Sequence, residues 1–236
     1  MHDLCVVFDV DDTLYLERDY VVSGFRAVGR WADRWLSIRD FDFRCLELFD
    51  SGQRGDIFDA ALHACDRPAT PELIAGLVAI YRGHRPRIEM ASDAARAIEE
   101  IHPLWPIAVV SDGPVISQSR KCEALGLPCL ANPIILTGMR GETFHKPNSG
   151  AFELVAGDIP AGRYVYVADN PAKDFTAPCR LGWQTVRVRR ERGLHYARNA
   201  DVVQPDFERP DLSDLSTILR SIAHGSWSGF TGSGRR

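Results

Sequence analysis

Apolar residues in this chain follow two patterns. Short continuous runs at Leu4 to Phe8, Ile107 to Val110, Val165 to Ala168, Gln184 to Val188 and Asp201 to Val203 are rich in β-branched residues. Strands covered on both faces of a sheet have this character. Between the runs, apolar positions recur at helical spacing over Val21 to Leu36, Phe41 to Phe49, Ile57 to Cys65, Pro71 to Tyr81 and Ser92 to Ile101, the last with Ser92 as its N-cap. Strands alternating with helices predict an α/β fold built on a doubly wound parallel sheet with right-handed crossovers. The excursion between the first two strands is far longer than one crossover needs. It predicts a separate α-helical domain over residues 16–87, leaving residues 1–15 and 88–224 for the sheet domain. Residues 225–236 are rich in glycine and serine and predict a flexible tail with Trp227 and Phe230 undocked.

Polar motifs sit where the strand-like runs end, which is where open α/β sheets bind ligands. The first, Asp9-Val10-Asp11-Asp12-Thr13, gathers three carboxylates. Two such charges repel by roughly 4 kcal/mol at 4 Å and an effective dielectric near 20, so a convergent set implies a bound cation, here Mg²⁺. The second motif is Ser111-Asp112-Gly113. The third is His145-Lys146-Pro147-Asn148, its lysine held in extended backbone by the proline and followed by an amphipathic segment from Ser149 to Ala156. The fourth is Asp169-Asn170-Pro171-Ala172-Lys173-Asp174.

Acid pair, serine, lysine and acid pair, in that order, resemble the motifs of the haloacid dehalogenase superfamily of phosphohydrolases, from Val6 to about Val203. The resemblance implies a Rossmann-like core and an α-helical cap that closes over the site and selects the substrate. It implies that Asp9 is the nucleophile, forming an aspartyl-phosphate, and that Asp11 is the general acid and base. Asp9, the Asp11 main-chain carbonyl and Asp169 would hold Mg²⁺. Asp174 would lie behind them, acting through water or by holding Lys146, and Thr13 would hydrogen-bond locally and orient the acids. Ser111, Lys146 and the main-chain N–H groups of Asp112 and Gly113 would bind the transferring phosphate. Asp12 is read as a loop-shaping residue. The dehalogenase branch lacks an acid two residues after the nucleophile, so Asp11 favours phosphoester hydrolysis. The ion-pumping branch has threonine there, together with membrane spans.

With the Asp-Asp-Thr-Leu-Tyr pattern, such a cap resembles those of small-metabolite phosphatases, which implies a sugar phosphate or nucleoside monophosphate as substrate, with Arg18, Tyr20 and Arg54 as candidate contacts. Alternatives are a sugar phosphomutase of the same fold, a phospho-accepting signalling module and a catalytically silent binding protein. Composition narrows the field further. A net charge of -4 argues against nucleic acid as a partner, and no run approaches the ~20 apolar residues of a membrane span. The chain has no secretory signal pattern at its start, and it is read as a cytoplasmic monomer or small homo-oligomer. Its six cysteines are scattered and read as reduced thiols. Arg187, Arg189, Arg190 and Arg192 are read as a solvated basic edge, and His145 and His195 as structural or peripheral groups.

Overall fold

Six strands, all parallel, form one sheet in the computed structural model, which describes residues 2–199 and 203–225. They are β1 (Cys5–Phe8), β2 (Ile107–Ser111), β3 (Ile134–Leu136), β4 (Tyr164–Ala168), β5 (Gln184–Val188) and β6 (Phe207–Arg209), in the spatial order β3-β2-β1-β4-β5-β6. The chain leaves β1 towards β2 and β3, then returns to build the other half from β4. β1 and β4 therefore flank the point where strand order reverses, and ligands bind beyond strand ends at such a point. Phe8 pairs with Val167, so Asp9 and Asp169 emerge from adjacent strands one residue out of step.

The chain divides into two compact units. The sheet unit comprises the described residues up to Leu16, Met90–Val115 and those from Gly126 on. One face of its sheet is covered by the helix Gly150–Asp158. There Cys5 and Val7, Ala108 and Val110, and Tyr166 and Ala168 alternate into a core with Ala151, Phe152, Val155 and Phe175. The Phe152 ring meets Tyr166 edge-on at 4.9 Å and Trp183 at 5.6 Å. The helices Ser92–Ile101 and Leu215–Ala223 pack on each other, each burying an apolar stripe.

The second unit comprises Glu17–Glu89 and also Ile116–Leu125, a segment that the sequence pattern assigns to the core. Its helices include α1 (Glu17–Leu36), α2 (Phe41–Asp50), α3 (Ile57–His63) and α4 (Pro71–Gly83). Phe25 of α1 gathers Phe49, Phe58 and Tyr81, with ring centroids 5.5–6.3 Å away. Gly24 allows this approach, because a Cβ there would come within 2.5 Å of the Tyr81 ring. Thr70 caps α4 by accepting the Leu73 N–H, with Pro71 in the first turn.

Three expectations about the elements change, and a fourth lies outside the described residues. β3 was not anticipated, being three residues long and too short to show a period. The run at Asp201 to Val203 forms no described strand: 201 and 202 lie outside the described residues, and the sixth strand is Phe207–Arg209. The expected tail also lies outside them from residue 226 on. Ser92 is the first helical residue rather than the cap; Ala91 takes the cap position, its N–H bonded to the Leu14 carbonyl.

Of the four arginines expected at a solvated edge, Arg187 and Arg190 instead form a brace, whereas Arg189 is partly exposed and Arg192 exposed. Arg187 is 1% exposed. It donates to the carbonyls of Asp169 (3.1 Å), His195 (3.0 Å) and Arg198 (2.6 Å) and pairs with Glu208 at 2.9 Å. Arg190 forks between the Asp93 carboxylate and the Thr13 carbonyl. Several main-chain carbonyls converge there, and a guanidinium with five donors satisfies them as water would at a true edge.

Phe152→Ala should lower unfolding free energy by about 3–5 kcal/mol in urea titration, by loss of burial and creation of a cavity. Arg187→Met should cost about 3 kcal/mol by leaving buried carbonyls without donors. Losses below about 1 kcal/mol would contradict these assignments.

Candidate active site

Five of the predicted residues meet beyond the ends of β1, β2 and β4, and one ammonium group organises them. Lys146 Nζ lies 2.6 Å from Asp9 Oδ1, 2.7 Å from Asp174 Oδ1 and 3.0 Å from the Tyr166 hydroxyl. Lys146, Asp9 and Asp174 are buried. The Lys146–Pro147 peptide is cis. Burial alone would favour the neutral amine, but Asp174 and Asp9 outweigh it and hold the Lys146 ammonium well above its ordinary pKa. The other Asp174 oxygen accepts the Asn170 N–H at 2.9 Å.

Asp9, Asp169 and Asp174 each offer a carboxylate oxygen within 4.8 Å of the other two. Burial, reinforced by Asp174 and other nearby acids, pushes the Asp9 carboxyl up to about 6 in spite of Lys146. Burial, then Asp174, Asp9 and Asp12, drives Asp169 well above the carboxylate range. Three buried acids facing one buried lysine carry excess negative charge, which protons or a cation must offset. An all-oxygen donor set suits a hard divalent ion such as Mg²⁺.

The remaining predicted residues fall around this group. Asp11 is half-buried, and its Oδ1 accepts a hydrogen bond from the Tyr15 hydroxyl. Its carboxylate is not among the three clustered acids, whereas Asp174, expected behind them, is. Asp12 adopts a left-handed φ of 50° and accepts the Leu194 N–H at 2.7 Å. Thr13 departs from expectation: its buried hydroxyl has no hydrogen-bond partner among the described residues, and only its carbonyl is held, by Arg190. Ser111 is buried at the end of β2. Gly113 takes a φ of 135°, a conformation that glycine adopts without strain.

Asp112 is a junction. Its carboxylate accepts from the Thr137 hydroxyl (2.7 Å), the Lys146 N–H (3.3 Å) and Lys173 Nζ (3.2 Å). Burial works against its charge, but Lys146, Lys173 and Thr137 together hold its carboxyl below the ordinary value.

Sequence reasoning missed Tyr166 and Lys173 as members of the site. A tyrosine inside a buried strand needs a partner for its hydroxyl, and Lys173 is one of only three lysines in the chain, with Lys121 and Lys146. His195 Nε2 lies 3.0 Å from Asn170 Nδ2, and burial followed by Arg198 keeps its pKa low.

The three cap candidates lie in the helical unit. Arg18 pairs with Asp50 at 2.7 Å, and the Tyr20 hydroxyl donates to the Tyr81 carbonyl. Arg54 donates to the Phe49 and Gln53 carbonyls and stacks over the Phe49 ring.

No protein-family model matches the chain. It is similar along most of its length to the glyceraldehyde 3-phosphate phosphatase of Methanopyrus kandleri, 25% identical over 229 residues, or 92% of this chain and 97% of that one. A second relative is the 5-amino-6-(5-phospho-D-ribitylamino)uracil phosphatase YigB of Escherichia coli, 20% identical over 91% of this chain and 95% of that one. Among solved structures, the HAD-hydrolase YfnB of Bacillus subtilis, in a magnesium-bound crystal, aligns with a TM-score of 0.67 at 18% identity. It covers 93% of this chain and 99% of that one. The L-2-haloacid dehalogenase of Xanthobacter autotrophicus aligns with a TM-score of 0.59 at 21% identity, over 94% of this chain and 99% of that one. The structural likenesses show the fold, and the two phosphatase relatives support the resemblance of the ordered motifs to those of the haloacid dehalogenase superfamily.

Proposed function

We propose that the chain is a Mg²⁺-dependent phosphomonoesterase that hydrolyses a small phosphorylated metabolite through an aspartyl-phosphate on Asp9. The observation that carries this reading is the buried group of Asp9, Asp169 and Asp174 around Lys146, with a second acid, Asp11, two residues after Asp9. Asp9, Asp169 and Asp174 are the residues to hold Mg²⁺, whose charge offsets theirs and that of the phosphoryl oxygens.

The chain's own residues then act as follows. An Asp9 carboxylate oxygen attacks phosphorus, the phosphorus–ester oxygen bond breaks, and its electron pair leaves with the alkoxide. Asp11 gives that alkoxide a proton. Water next attacks the phosphorus of the aspartyl-phosphate while Asp11 takes its proton, releasing inorganic phosphate and restoring Asp9. Tyr15, bonded to Asp11, orients the acid. Ser111, Lys146 and the main-chain N–H groups of Asp112 and Gly113 bind the phosphoryl oxygens; the Asp112 carboxylate is already engaged and takes no part.

Asp11 also weighs against carbon–halogen cleavage, which needs no acid at that position. The helical unit serves as the cap that selects the substrate. The two phosphatase relatives act, by name, on phosphates of an aldehyde and of a ribityl compound. Their names favour a sugar or polyol phosphate over a nucleoside monophosphate.

Phosphate release from a panel of sugar and polyol phosphates should require Mg²⁺, vanish in Asp9→Asn and fall by roughly 10²–10⁴-fold in Asp11→Asn. Full turnover by Asp9→Asn would sink the aspartyl-phosphate route. A binding readout is independent of turnover. Mg²⁺ should raise the thermal midpoint of the wild type more at about pH 7.5 than at about pH 6, because raised carboxyl pKa values let protons compete with the cation as pH falls. Asp169→Asn should lose that shift. An equal shift at both pH values, or one that persists in the variant, would contradict the metal assignment.

A further inference from the structure

We infer that the helical unit carries an anion-binding site of its own, a cavity walled by Arg26, Arg30, Arg85 and Arg87 that takes a compact polyphosphate group. The cavity measures about 580 Å³, within the ~300–1,000 Å³ typical of small-ligand sites. Two carboxylates, Asp19 and Glu89, share its lining with the four arginines, which leaves a net charge of +2 in a chain whose overall charge is -4. None of its lining residues belongs to the carboxylate centre around Lys146.

The arrangement is a built one. Arg26 and Arg30 stand one turn apart on α1, where like charges repel and destabilise a helix. Arg85 and Arg87 lie two residues apart on the segment that follows α4. The buried Ser23 stitches that segment to α1: its hydroxyl accepts the Arg87 N–H at 2.8 Å and lies 3.1 Å from His84 Nε2. His84 in turn lies 2.6 Å from the Tyr81 carbonyl through Nδ1. The two pairs of arginines are thereby held to one cavity before any ligand arrives, which lowers the ordering cost of binding.

Other arginines of the unit are already spent on internal contacts. Arg18 pairs with Asp50, Arg54 donates to the Phe49 carbonyl, and Arg67 donates to the Leu36 carbonyl. Among the described residues, the guanidinium groups of Arg26, Arg30, Arg85 and Arg87 form no ion pair or hydrogen bond. Each guanidinium presents a planar fork matched to phosphate oxygens. Four such forks offer more paired donors than the three terminal oxygens of a single phosphate monoester can take up two at a time. A chain of two or three phosphates supplies enough oxygens for all four forks and fits the volume, either free or as part of a nucleotide.

The test is calorimetric titration of the full chain in excess chelator with tripolyphosphate, ATP and adenosine as probes. The expected result is saturable 1:1 binding of tripolyphosphate or ATP, no binding of adenosine, and affinity that falls as salt rises. Equal affinity for the two polyanions assigns the site to the phosphate chain alone; tighter ATP binding assigns it to a nucleotide. Arg26→Gln and Arg87→Gln should each weaken binding by about tenfold or more, with thermal midpoints within a few degrees of wild type as the check on folding. Arg30→Gln provides a further variant should either of those fail to fold. Absence of saturable binding to the wild type, or affinity unchanged in folded arginine variants, would overturn the inference.

Discussion

The site depends on one buried ammonium. Lys146 lies against Asp9, Asp174 and the Tyr166 hydroxyl at once, so its three contacts sit at the end of β1, in the loop after β4 and within β4 itself. Removing a charge from such a cluster leaves its partners buried and uncompensated, which costs far more than the pair gains when intact. The lysine also separates the acids by function. Asp9 and Asp174 are bound to it, and Asp11 is directed instead to Tyr15. In the proposed reaction a nucleophile and a proton carrier need different surroundings to differ in acidity, and Asp9 and Asp11, two residues apart in sequence, have different neighbours.

Around that centre the sheet supplies position and the loops supply chemistry. Asp9 and Asp169 leave adjacent strands at the reversal of strand order, where the flanking connections diverge and open a crevice. Arg187 fixes the Asp169 carbonyl from behind, and Asp112 ties the loops after β2, β3 and β4 to one carboxylate. These braces come from residue types that are ordinarily exposed, and they allow irregular backbone to remain ordered while satisfying its polar groups.

Lys146 follows a short helical turn and was legible from its proline and its place in the motif order, whereas the acids at Asp9, Asp11 and Asp169 were legible because they follow runs of β-branched residues, so pattern and chemistry coincide. The long strands and most of the helices were legible for the same reason. β3 was not, since three residues cannot show a period. Nor was the role of Arg187: a charged residue in a strand reads as exposed unless the carbonyls that converge on it are known, and those come from residues up to 18 positions distant. The Thr13 hydroxyl was misplaced, and Asp174, which holds Lys146 as expected, also joins the carboxylate group, because motif order says which residues gather but not which atoms face each other.

The scarcity of lysine has a practical consequence for chemical labelling. Lys121 and Lys146 are buried, whereas the Lys173 side chain is 35% exposed beside Asp112. An acylating reagent at neutral pH therefore meets, among the side chains, essentially one amine. A fluorophore or cross-linker attached there would sit at the rim of the carboxylate centre, giving a site-directed probe without any engineered cysteine.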